Sequence, residues 1–568
     1  MIAGRIGHAV TVAAVLAAGL AVAAGAEEPY RFRSDDPVAI DHDALPSPLP
    51  DEQKVDDYYD GLENMFAPQG EGVIRRARNI NTVGEVPDSS WFTNRLGVRA
   101  MTVAEMARGP DRSGGPAPGT WTVVGAKSRG ITPGFTIADS RGDRYLIKFD
   151  PKRNLEMATA AEVISTKFFH ALGYHVPENY IVTFDPPDLV IGRGATTKDV
   201  LGNEVPITDA DLARLLGRVA KNPDGTIRAL ASKFLPGRPV GPFLFHSTRR
   251  DDRNDVFPHE HRRELRGYYV FCSWLHHDDS RSINTLDMYL GEPGQGHVRH
   301  HLIDFGSTLG SGSVKVQHRR GGYEYMFEGD QVLKGALGLG FWIRPYADYE
   351  YPRYPSLGRF SAAYFEPDRW KPEYRNVAFD HMDLEDAFWA AKLVMRFRDE
   401  AVRAVVATGQ LSNPEAERYL ADALIERRDR IGRHWLAQLS SLDDFRVDGG
   451  VLRYRDLLVD YGFAAATPPY RATFSRYHNP TGAVTRIAGP IAAGATEVAI
   501  ADEVLGYGEG GVYFLVTLES EENPAHVVDL FLRAAAAGGG FEIVGIDRRA
   551  PRRPARRDSY LWESTVSD

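Results

Sequence analysis

One cysteine in 568 residues excludes an internal disulfide, so no covalent staple sets this fold. Cys272 stands in an apolar helical stretch and reads as a buried, inert thiol rather than a nucleophile. Without paired cysteines a zinc-ribbon type of site is also disfavoured. Basic charge is not in excess: 67 Lys and Arg face 77 Asp and Glu, a formal net charge of −10. A general nucleic-acid binder needs the opposite balance to neutralise phosphates, so that class is set aside. Long apolar runs are missing beyond the first 26 residues, and no internal repeat is found. What is present is an ordinary globular composition, 43% hydrophobic and 25% charged, on a chain too long for one core. Two or three domains are expected.

The N-terminus reads as a targeting segment. Arg5 precedes an apolar run from Ala9 to Ala24, and Ala24-Gly25-Ala26 supplies the small residues of a cleavage site. The expectation is an exported protein, periplasmic or extracellular, with residues 1–26 removed as a signal peptide. Residues 27–115 read as an extension, with Asp35 to Pro50 a Pro- and Asp-rich, poorly ordered linker. Pro87 to Phe92 is expected to pack its Trp91 and Phe92 onto the next domain.

From residue 116 the pattern turns to strands: Trp121–Val124, Phe135–Ala138 and Tyr145–Phe149, the last two joined by a turn at Ser140 to Asp143. A helix is predicted over Leu155–Leu172, ended by Gly173, with a strand over Tyr180–Phe184. Residues 236–445 read as helical, with helices over 260–276, Asp383–Ala407 and Pro414–Trp435, the last capped by Asn413. A small β domain is expected over 446–548, and residues 549–568, rich in arginine, read as a disordered basic tail.

The chemistry concentrates in two loops. His277-Asp278-Asp279-Ser280-Arg281-Ser282-Ile283-Asn284 fits H-x-D-x-x-x-x-N, and a hairpin later Asp304-Phe305-Gly306 follows. Phosphoryl transfer is mainly positioning and charge neutralisation, and it needs a cation on the phosphates, an acid to hold it, oxygen ligands for a metal and a carboxylate at the acceptor. Lys148, on the third predicted strand, is the candidate cation, and Glu162 on the next helix is its partner. Asp279 is the acceptor-side carboxylate. Asn284 and Asp304 are the candidate ligands for Mg2+ or Mn2+, hard ions that take oxygen donors. The glycine-rich stretch 125–134 offers Gly125, Lys127, Arg129 and Gly130 for the phosphates of ATP, a weak signal taken alone. His297, His300 and His301 stand close enough in sequence to raise a zinc cluster. On one strand only His297 and His301 share a face, roughly 13 Å apart, too far for one ion.

Together these residues resemble the protein-kinase-like superfamily, in particular its phosphatidylinositol-kinase-like and HipA-type branches. The match lies in Tyr145 to Phe149, Ala160-Ala161-Glu162, Leu172 to Pro177, His277 to Asn284 and Leu302 to Gly306. The resemblance spans roughly residues 120–440 on domain size. It implies an α+β, two-lobed fold with a β-rich N-lobe over 116–235, a helical C-lobe over 236–445, a hinge near Phe234 to Pro239, and ATP in the cleft. Two departures stand out: Asp278 occupies a position that is often Arg, and no Ala-Pro-Glu follows Gly306. The expected function is transfer of the ATP γ-phosphate to an unidentified hydroxyl of a protein, lipid or small molecule. The alternatives are a non-catalytic nucleotide-binding or scaffold protein of the envelope, and an envelope partner bound through the C-terminal β domain. The aromatic stretch 341–374 is expected to be an irregular loop over the C-lobe, and His277 a structural brace for its loop.

Overall fold

The protein is described by a computed structural model covering residues 29–56, 60, 62, 73–126, 134–198, 203–328, 337, 344–351, 353–506, 510–535 and 540–557. The leader expected at 1–26 and the loop residues Lys127, Arg129 and Gly130 lie outside the described residues. Among the described residues no helix is long and apolar enough to cross a membrane.

The architecture is mixed α+β. A short helix α1 (Val103–Arg108), closed by a Thr102/Glu105 capping box, precedes β1 (Trp121–Ala126), β2 (Gly134–Ala138) and β3 (Arg144–Lys148). Then come α2 (Met157–Leu172), β4 (Asn179–Phe184), β5 (Leu189–Lys198), β6 (Glu204–Pro206), α3 (Asp209–Leu216) and β7 (Ile227–Lys233). The seven strands form one sheet in the order β4-β7-β3-β2-β1-β5-β6, antiparallel except where β1 runs beside β5. Trp121, Phe135, Ile137, Tyr145, Ile147 and Phe184 make its core.

The chain leaves this sheet through residues 234–237 and enters β8 (Arg238–Pro239). Gly237 has φ +96° and sits where a Cβ would lie 2.5 Å from the Tyr289 carbonyl oxygen, so the crossing admits no side chain there. The helical body follows: α4 (Arg263–Leu275), the hairpin β9 (Thr285–Leu290) and β10 (His297–Leu302), α5 (Val377–Asp380), α6 (Leu384–Met395), α7 (Asp399–Ala407) and α8 (Pro414–Leu436). The single helix expected over Asp383–Ala407 is two. Phe397 is fully buried between them, and Arg428 of α8 donates to its carbonyl at 2.7 Å and pairs with Asp399, the first residue of α7, at 2.8 Å, which breaks the ladder there.

The C-terminal part begins earlier than expected, at β11 (Leu442–Asp448). It continues through β12 (Val451–Asp456), α9 (Leu457–Asp460), β13 (Tyr470–His478), β14 (Ala483–Ala493), β15 (Glu497–Ala499) and α10 (Asp502–Leu505). It closes with β16 (Tyr513–Ser520), β17 (Val527–Ala534) and β18 (Phe541–Arg548). Two sheets result, β11-β12-β15 and β14-β13-β16-β17-β18, sharing a core that includes Leu452, Phe474, Phe514 and Leu530.

Two expectations are corrected. In its described residues the extension is no loose linker: it is a strap, largely irregular in secondary structure but buried at intervals. Phe32 packs on Tyr477 and Phe531 of the C-terminal sheet. Ser47 bridges Gly296 at the β9–β10 hairpin. Trp91 stacks on His300 at 3.5 Å, and Phe92 meets Tyr174 at 5.6 Å. Gly173, which ends α2, is required there, because a Cβ would fall 2.2 Å from the Phe92 ring. Each such buried aromatic contributes roughly 1.5–3 kcal/mol, which is why a Pro- and Asp-rich segment stays in place. Residues 549–557 of the basic tail likewise lie against the rest of the protein, because Arg552, Arg556 and Arg557 find buried carboxylates across the helical body.

Candidate active site

Lys148 ends β3, and its side chain is 10% exposed. Its Nζ donates to Glu162 Oε1 at 2.9 Å and Oε2 at 3.0 Å, and to Asp304 Oδ1 at 3.0 Å. Burial pushes the ammonium down, but Asp304 and then Glu162 outweigh it and hold the group above its ordinary value, so it is charged at neutral pH. Glu162 is set at this height by the N-terminus of α2. Asp150, two residues past Lys148, accepts from the Ala158 and Thr159 amides at 2.9 Å each and from the Thr159 hydroxyl at 2.7 Å. One short stretch therefore carries the cation and anchors the helix that bears its partner.

The helix is held on every side: all of its residues except His170 are buried. Phe305 stacks on Phe169 at 4.8 Å, and the Ser165 and Thr308 hydroxyls lie 2.7 Å apart. These contacts tie α2 to the Asp304 loop. Asp304 itself adopts the left-handed conformation, φ 61°, which turns the chain sharply out of β10. A Cβ at Gly306 would stand 3.0 Å from Ser313 Oγ and 3.5 Å from Glu162 Oε2, so glycine keeps the three-way contact uncrowded.

The second loop leaves α4 through His276, also left-handed, at φ 54°. Burial lowers His276 to about 3, so the ring is neutral and accepts from Trp370 Nε1 at 3.1 Å. His277 lies 3.4 Å from the Ser307 carbonyl and feels both Asp279 and Asp304, which links the two acidic loops. Asp279 Oδ1 accepts from Arg281 Nε at 2.6 Å, and the Arg281 guanidinium sits 4.6 Å over the Tyr374 ring. Asn284 Nδ2 donates to the Asp279 backbone carbonyl at 2.7 Å, while the Asn284 backbone carbonyl accepts from the Ile303 amide at 3.0 Å. The Asp278 carboxyl is pushed well up by burial and accepts from Gln317 Nε2 at 2.6 Å, a structural use of the position.

The structure thus brings Lys148, Glu162 and Asp304 into contact and sets Asp279 and Asn284 on one loop beside them. Gly125 lies within β1 between β2 and β5, where a Cβ would meet only the Thr196 carbonyl oxygen at 3.7 Å. A divalent cation fits the donors at Asn284 and Asp304. The amide nitrogen of Asn284 is spent on Asp279, which leaves its oxygen, and the Asp304 carboxylate is 41% exposed. Among the described residues no group of three or more His, Cys, Asp or Glu side chains is arranged to hold a metal. His300 is stacked on Trp91 and bonded to Asp287 at 2.7 Å instead.

Sequence reasoning missed Glu373. Its amide donates to the Asp278 carbonyl at 2.8 Å, and its carboxylate pairs with Arg320 at 3.3 Å. Burial and then Asp279 push it upward. Nothing local marks it, since it lies in the aromatic stretch some 90 residues from the loop it joins.

No family model matches the chain, and no curated protein matches it. Among solved structures, the Golgi casein kinase with Mn/ADP bound is similar at TM-score 0.24 and 9% identity, covering 59% of this chain and 78% of that one. A second structure of the Golgi casein kinase is similar at TM-score 0.26 and 8% identity, covering 56% and 75%. Likeness at this level carries no argument about chemistry, so the function is argued from the site alone.

Proposed function

We propose that the protein is an ATP-dependent phosphotransferase with a two-lobed, kinase-like arrangement, acting on a hydroxyl acceptor outside the cytoplasm. The observation that supports it is the contact of one buried lysine with two carboxylates from separate parts of the chain, Glu162 and Asp304. In this reading Lys148 holds the ATP phosphates, and Glu162 keeps Lys148 aimed. Asp279 accepts the proton of the acceptor hydroxyl as that oxygen bonds to the γ-phosphorus and the bond to the β–γ bridging oxygen breaks, releasing ADP. Arg281 occupies Asp279 Oδ1, which leaves Oδ2 for the proton. Asn284 and Asp304 would hold Mg2+ or Mn2+, which supplies charge neutralisation at the phosphates.

The second reading, a non-catalytic nucleotide-binding or scaffold protein of the envelope, has one observation in its favour. Lys148 is paired with carboxylates of its own chain, Glu162 at 2.9 Å and Asp304 at 3.0 Å. Labelled ATP with mass-spectrometric search for phosphorylated species, on wild type and Asp279→Ala, separates the two. Transfer by wild type and none by the variant is expected. Mg-ATP binding by both with no transfer by either would sink the phosphotransferase reading. Export rests on the pattern of residues 1–26 and is checked by fractionating cells that express the whole chain. Retention of the protein in the cytoplasm with its first 26 residues intact would remove that part of the proposal.

A further inference from the structure

We propose that the C-terminal tail, residues 552–557, is a built-in support for the acceptor side of the site, with Arg556 as its positioning residue. The consequence for catalysis rests on the phosphotransferase reading; the brace itself rests on geometry. After β18 the tail turns back over the helical body. Arg552 meets Asp383 at 3.2 Å, and the Ala555 amide donates to the Met382 carbonyl at 2.8 Å. The Arg556 side chain is 1% exposed. Its Nη1 donates to Asp380 Oδ1 at 3.0 Å, its Nη2 donates to the Tyr325 hydroxyl at 2.6 Å, and its guanidinium lies 4.7 Å over the Tyr269 ring. A guanidinium buried this fully is costly unless it is paired, and here both terminal nitrogens are hydrogen-bonded, while Nε has no hydrogen-bond partner among the described residues.

Each partner leads toward the candidate site. Tyr269 is on α4, which runs straight into the Asp279 loop, and its hydroxyl lies 2.8 Å from the Trp370 carbonyl. Asp380 ends α5. Tyr325 belongs to a segment stitched to residues 371–373 by backbone bonds: Lys371 to the Gly322 carbonyl at 3.0 Å and Met326 to the Glu373 carbonyl at 2.7 Å. Glu373 then donates to Asp278, the residue before Asp279, and Tyr374 carries the guanidinium that holds Asp279. One arginine from the far end of the chain therefore braces both sides of the acceptor loop. The sequence has no Ala-Pro-Glu after Gly306; in this chain the support comes from the tail.

The test uses full-length Arg556→Ala, Arg556→Lys and Tyr325→Phe, with Arg549→Ala as control because the Arg549 guanidinium pairs with Asp529 of the C-terminal sheet at 2.8 Å. Hydrogen exchange of peptides spanning 322–328 and 371–376 is read beside the thermal shift with Mg-ATP and ATP turnover. Arg556→Ala and Arg556→Lys are expected to speed exchange in those peptides about tenfold or more, the loss of a charge-assisted hydrogen bond, with Tyr325→Phe giving part of the effect. Turnover falls while the Mg-ATP shift stays as in wild type, and Arg549→Ala changes neither. Wild-type protection in Arg556→Lys, or faster exchange spread evenly over the helical body, overturns the brace. Absence of turnover in the wild type counts against the phosphotransferase reading alone, since the exchange pattern decides the brace without it.

Discussion

Replacing Lys148 with methionine removes the cation from two carboxylates, and the cost can be worked from the geometry. At about 3 Å and an effective dielectric of ~20, each contact is worth about 5 kcal/mol before desolvation. Asp304 is 41% exposed and can rehydrate, so little of its share is lost. Glu162 is 4% exposed and cannot, so the net penalty is about 3–5 kcal/mol, that of stranding one buried charge. A long multidomain chain does not unfold in one step, so the assay is native-state hydrogen exchange of β2, β3 and α2. Lys148→Met should lower their opening free energy at pH 7.5, and adding Glu162→Gln should restore most of it, because a neutral amide needs no cation. The pH dependence has a definite sign. In the wild type the raised pKa of Lys148 gives stability that is fully present below its ordinary value near ~10.4 and is lost as pH rises through the folded value. A single-variant cost under about 1 kcal/mol, or a double variant no better than the single, refutes the reasoning.

Asp304→Asn should abolish the thermal shift produced by Mg-ATP while the apo protein stays folded, as differential scanning fluorimetry will report. Asp279→Asn should cut phosphoryl transfer about 100- to 10,000-fold with nucleotide affinity unchanged, the size of a lost proton acceptor, read by single-turnover kinetics. Trp91→Ala should cost about 3–5 kcal/mol and open the strap to limited proteolysis, because the ring is 3% exposed between His300 and Arg262. Thr308→Val should cost about 1–3 kcal/mol by stranding the Ser165 hydroxyl, seen as faster exchange in the middle of α2.

The local motifs were readable because their meaning is carried by spacing. A strand lysine, a helix glutamate fourteen residues on, and Asp304 after a hairpin can be named from the chain, since strands and helices impose fixed periods. The break at Phe397 was not readable, because Arg428 makes it from another helix. Glu373 and Asp150 were missed for a related reason: a carboxylate in an irregular or capping position has no periodic signature, and its role is set by what lies opposite.

What the sequence by itself determined is the set of groups and the order in which they come. Lys148 and Glu162 stand in elements whose hydrophobic periodicity places them, and Asp279, Asn284 and Asp304 in loops recognised by their motif spacing. What only the tertiary structure decided is which charges meet, and what holds them there. The Pro- and Asp-rich extension became a strap, because Phe32, Trp91 and Phe92 find apolar partners hundreds of residues away. The arginine-rich tail became a brace, because Asp380, Asp383 and Asp368 lie buried in its path. Composition reads both segments as polar and loose. Burial reverses that reading, since a charge or an aromatic ring is ordered by its partner, and the partner is chosen by the fold.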